Sequence, residues 1–73
     1  MSARVSAIEK LKAILDFIIA YHSTTGSNKK FKKFLYIRKN LEDFSVSGLD
    51  KILPIITKEV DEILDDTEKM VFT

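Results

Sequence analysis

Apolar side chains return every three or four residues along most of this 73-residue chain, and no other feature limits its fold so tightly. From Val5 through Ile8, Leu11, Ile14, Leu15, Phe17, Ile18 and Ile19 to Tyr21, the pattern covers about 200° of a helix turning about 100° per residue. Glu9, Lys12 and Asp16 lie on the opposite side, at spacings where unlike charges support each other modestly. A face this broad predicts a central helix that touches two neighbours. Ser6 and Glu9 have the spacing of a capping box at its start, with Ser2 as a rival cap.

Residues 23–28, Ser-Thr-Thr-Gly-Ser-Asn, form a turn cluster. Small polar side chains there compete for backbone hydrogen bonds, and Gly26 permits positive φ. Asn28 can cap a second helix with Phe31, Phe34, Leu35, Ile37 and Leu41 on one side, a stripe that Phe44 extends. A further break covers residues 43–48, after which Ser47 or Asp50 can cap a third helix. Pro54 favours Asp50, because proline is tolerated in the first turn of a helix and an earlier start predicts a kink. Leu49, Ile52, Leu53, Ile56, Val60, Ile63, Leu64, Met70 and Val71 then form a stripe about 120° wide, opposed by Asp61, Glu62, Asp65, Asp66 and Glu68. The closing Val-Phe-Thr either frays or packs across the bundle.

These segments predict an all-α chain with helices at about 3–22, 29–42 and 50–70. Short connections make neighbours antiparallel, so the expected architecture is a single-domain, three-helix up-down-up antiparallel bundle over residues 1–73. No alternating run suggests a sheet, and no internal repeat appears. A chain this short buries only about 60% of its unfolded surface, and without cysteine it has no disulfide to compensate. Packing or self-association must supply the stability, and the wide apolar arc of the first helix argues for completion by dimerisation. The longest apolar stretch, Ala13–Tyr21, is interrupted by Asp16 and is far shorter than the roughly 20 residues of a membrane span. Glu9, Lys10, Lys12 and Asp16 spoil the apolar core of a signal peptide. The expected location is cytoplasmic.

No catalytic constellation, cofactor motif or metal site emerges. His22 is the single histidine and lies at the edge of the first helix's apolar arc, in the last turn, where a cation suits the helix dipole. It reads as structural, and a pocket holding it beside a carboxylate would be the sign of an enzyme. No nucleophile stands in a recognisable elbow. The acids of residues 61–68 line a helix without the alternation and glycine turn of a calcium loop. Gly26-Ser27-Asn28-Lys29-Lys30 lacks both the second glycine and the Lys-Ser/Thr pair of a phosphate loop.

One feature rises above this background. Lys29, Lys30, Lys32, Lys33, Arg38 and Lys39 put six positive charges on the second helix, with no acid between Asn28 and Leu41. The formal charge is +1 over residues 1–28, +4 over 29–49 and −4 over 50–73. Lys29, Lys32, Lys33, Tyr36 and Lys39 share the side away from the Phe and Leu stripe, and an aromatic on a basic face suits an interface anchor. Arg38 falls inside the stripe, where it is expected to snorkel or to pair with Glu42. The expected function is a non-enzymatic protein-interaction or small regulatory module that binds a protein partner through this face. The competing class is nucleic acid or an anionic surface, with lysines on phosphates and Tyr36 stacked on a base. A helix-turn-helix reading fails because the helix that would enter the groove is acidic. Short amphipathic helices of this kind are also shared by phage and plasmid regulators and by bacteriocin immunity proteins, so a small inhibitor of that type is a further alternative. Enterocin-type immunity proteins are similar in helix character but longer, with a fourth helix absent here.

Overall fold

The computed structural model describes the backbone of residues 3–72 and the side chains of residues 4–69. Every regular element among them is helical: α1 (Ala3–Thr25), α2 (Asn28–Lys39), one 3₁₀ turn (Leu41–Asp43) and α3 (Val46–Phe72). The apolar spacing thus gives the predicted class, but the boundaries differ, and each difference has a local cause.

At Ser6 and Glu9 α1 is already under way, so these residues form no capping box; Ser2 lies outside the described residues. α1 also outlasts the predicted end at residue 22. Ser23, Thr24 and Thr25, expected in the turn, are helical, and the hydroxyls of Thr24 and Thr25 are accommodated there by donating to the carbonyls of Ala20 and Tyr21, one turn back. Gly26 then stops the helix at φ +80, and the Ser27 amide returns to the His22 carbonyl at 2.9 Å. That is the six-to-one bond of a Schellman stop, which requires the left-handed region that glycine enters freely.

Asn28 is the first residue of α2 rather than its cap; Ser27 occupies the cap position without a side-chain bond. α2 ends at Lys39, short of residue 42: the Asn40 backbone amide makes a last i→i−4 bond to the Tyr36 carbonyl, which also accepts the Asn40 side-chain amide, and the chain then tightens into the i→i−3 bonds of the 3₁₀ turn. α3 begins four residues before Asp50. Its cap is Ser45, whose Oγ accepts the Gly48 amide at 3.1 Å, the bond from cap to third helical residue. Pro54 therefore lies inside the helix rather than in its first turn. The Asp50 carbonyl lacks the amide it would otherwise meet, but both residues are exposed, so water can satisfy it and the helix runs on.

The core takes Ile8, Leu11, Leu15 and Ile18 from α1, Phe34 and Ile37 from α2, Leu41 from the 3₁₀ turn, and Leu49, Ile52, Ile56 and Ile63 from α3. Burying a side chain such as Phe34 contributes about 2–3 kcal/mol. α1 touches both other helices, as expected of a central element. Its contacts with α2 and the turn pair early with late: Lys12 meets Glu42, Asp16 meets Arg38, and His22 stacks on Phe34. Those with α3 keep the same order, from Leu11 and Leu49 in one groove to His22 and Glu59. Phe31, Leu35 and Phe44 are half-buried, and Leu53 and Leu64 are largely exposed. The side chains of Met70 and Val71, and the closing Val-Phe-Thr, lie outside the described side chains. On α1, Val5, Ile14 and Phe17 stay exposed, so the other elements do not cover the whole apolar arc.

Candidate functional site

The five residues singled out on the second helix, Lys29, Lys32, Lys33, Tyr36 and Lys39, are all exposed on one side of α2. Phe34, Ile37 and Leu41 hold the opposite side in the core, and this burial aims the basic side outward. Tyr36 is 67% exposed. The Lys33 ammonium stands 5.6 Å from the Phe34 ring centroid, so its charge is partly held over an aromatic face.

Two other cations of the run point elsewhere. Arg38 reaches across to Asp16 of α1 through Nε and Nη2, not along the helix to Glu42, because α1 presents a carboxylate at the edge of the core. Lys30 turns to α3, with its ammonium 3.4 Å from Glu59 and 3.7 Å from Glu62. Glu42 instead holds Lys12 at 2.7 Å. The Lys12 hydrogen bond, and then its charge, hold the Glu42 carboxyl below its usual range. Arg4 docks on the Glu42 and Phe44 carbonyls at 3.2 and 2.8 Å, tying the start of α1 to the turn.

Beneath the lysine face lies a pair that the sequence did not announce. His22 Nε2 and Glu59 Oε1 are 2.6 Å apart, with the two residues 3% and 7% exposed. With Glu59 ionised, Nε2 carries the hydrogen and donates it. The imidazole is walled by Phe34, stacked at 6.0 Å, and by Tyr21, edge-on at 5.5 Å. Its Nδ1 is buried with no hydrogen-bond partner. Both residues continue apolar stripes of identical spacing, 8-11-15-18-22 on α1 and 49-52-56-59-63 on α3. A histidine in one such stripe and a glutamate in the other is the signal that could have disclosed the pair.

A cleft between α2 and α3 is lined by Lys30, Lys33, Ile55, Lys58, Glu59 and Glu62. It reaches Glu59, but His22 is not among its walls. Lys58 and the exposed Ile55 thereby extend the basic surface from α2 onto α3, an extension invisible before the helices are packed. On the far side, a shallow apolar groove between α1 and α3 is lined chiefly by Ala7, Leu11, Val46, Leu49 and Leu53.

Among the described residues, no three histidine, aspartate or glutamate side chains gather as metal ligands. No described helix is long and apolar enough to cross a membrane. No protein-family model matches the chain, and neither does any curated protein or solved structure.

Proposed function

We propose that this chain is a non-enzymatic interaction module, an up-down-up bundle of three helices that binds an acidic protein surface through Lys29, Lys32, Lys33, Tyr36 and Lys39. The observation that carries the reading is the exposure of Tyr36 amid four lysines that have no acid on their own helix. An aromatic ring supplies contact area at low entropic cost, and flanking cations select a partner and speed its approach. A cytoplasmic setting goes with this reading.

What supports a non-catalytic role for His22 and Glu59 is their placement. Both are buried, and His22 presents neither ring nitrogen to the cleft. A buried polar pair set in matched apolar stripes favours one register of the helices over others, as a single polar core residue does in a coiled coil.

The test is a triple variant, Tyr36→Ala with Lys32→Glu and Lys33→Glu. All three positions are exposed, so helicity by circular dichroism should be retained while capture of the protein partner is lost. A folded triple variant that still captures every partner of the parent would overturn the reading. A gel shift at low salt, weakening steeply as salt rises, would assign the face to nucleic acid instead.

A further inference from the structure

The last turns of α3 carry a stripe with the spacing of the basic face of α2 and the opposite charge. Ile63 is the last buried side chain of α3 among the described residues, and every described side chain from Leu64 to Lys69 is exposed. The helix nevertheless continues to Phe72, so residues 64–72 extend about 14 Å beyond that last core contact at about 1.5 Å per residue. By the same rise, α2 with its 12 residues is about 18 Å long.

On α3, from just before Ile63 into this end, Asp61, Leu64, Asp65 and Glu68 stand at i, i+3, i+4 and i+7 and share one side of the helix. Leu64 is 51% exposed in the middle of that acidic stripe. On α2, Lys29, Lys32, Lys33 and Tyr36 have the same spacing, with the exposed aromatic at the end of the set where α3 has its leucine inside it. One stripe is basic with an apolar residue and the other is acidic with an apolar residue, although Lys69 on the same helix already pairs with Asp65 at 3.3 Å; both groups are exposed, so that pair is weak and open to exchange. The end of α3 projects away from its own α2, and the contact made within the chain is through Lys30, which faces Glu59 and Glu62 rather than this stripe.

We propose that a second copy of this chain docks the acidic end of its α3 on the basic face of α2. A two-fold axis across the helices lets both copies do so at once, giving a self-complementary pair in which each stripe is used. This inference rests on α2 being the contact face and names one partner for it.

Light scattering and sedimentation equilibrium of the full chain test it. The parent is expected to form a dimer whose dissociation constant weakens by about tenfold or more between about 50 and 500 mM salt, since exposed charge contacts are screened. The Lys32→Glu/Lys33→Glu variant should be monomeric, as should Asp65→Lys/Glu68→Lys, because each then opposes like charges. An equimolar mixture of these two folded variants should dimerise, because both stripes again meet their opposites. A parent that is monomeric up to about millimolar concentration overturns the proposal, as does a mixture that fails to associate. A salt-insensitive dimer retained by both variants also overturns it and assigns the contact to the apolar groove of α1 and α3. If the parent is monomeric yet the Tyr36, Lys32 and Lys33 changes abolish capture of another protein, self-association falls while the function of the α2 face stands.

Discussion

His22 and Glu59 show most plainly how two side chains depend on each other. Removing Glu59 leaves His22 Nε2 buried without its partner, and removing His22 leaves the Glu59 carboxylate with Lys30 alone at 3.4 Å, whereas replacing both with apolar residues relieves both at once. His22→Leu and Glu59→Leu are each expected to cost about 1–3 kcal/mol in urea unfolding, and the double variant to lie within about 1 kcal/mol of the parent. Equal and additive losses would contradict this coupling. Glu42 makes a weaker, pH-dependent contribution. Its carboxyl is held below the ordinary value of 4.5 by Lys12, so the stability it adds is present above that value and is lost as pH falls through its lower folded one. Melting temperatures recorded from neutral to acid pH should show a shallower acid limb in Glu42→Gln. Gly26 at φ +80 gives a third expectation: Gly26→Ala should lower stability by about 1–2 kcal/mol without any clash, since the left-handed backbone alone disfavours a Cβ.

At the scale of a helix, α3 departs most from its sequence signals. Pro54 argues for a start at Asp50, yet the Ser45 cap and burial of Leu49, within the added turn, outweigh one lost hydrogen bond at an exposed carbonyl. Ser45→Ala should cost about 1 kcal/mol. Pro54→Ala should stabilise by about 1–2 kcal/mol, since the roughly 3 kcal/mol advantage of alanine inside a helix is partly offset by a looser unfolded chain. Thermal melts of both variants check these values, and a destabilised Pro54→Ala would mean that the proline fixes a bend the core requires. In α1, the 3-4-3-4 stripe reaches His22 with Ser23, Thr24 and Thr25 still helical between it and the Gly26 stop. Had the helix ended at residue 22, its last core position would sit on a fraying end.

For the molecule as a whole, the long axis of 44 Å against 22 and 19 Å follows from α3, whose 27 residues span about 40 Å. The other elements cover that helix only as far as Ile63. Amide hydrogen exchange should therefore be slow from Leu49 to Ile63 and fast beyond, with the later amides becoming protected at concentrations where the chain self-associates. Uniform protection along α3 in dilute solution would show that its end is held by something other than a second copy.

The sequence by itself determined that there are three helices, which side of each turns inward, and the outward lysine face with Tyr36, but not their bounds or how deep each stripe residue goes, since Val5, Ile14, Phe17, Leu53 and Leu64 stay exposed. What it determined follows from a period of 3.6 residues and from which side chains leave water, properties a helix has before it meets another. Tertiary structure decided which charges pair. Glu59 came to His22, Asp16 to Arg38, Glu42 to Lys12, and Lys30 left the basic face for α3. Each of these pairs joins separate elements, so it depends on the register and the rotation of one helix against another. A few ångströms of sliding would exchange every partner while leaving the helical periodicity of the sequence unchanged.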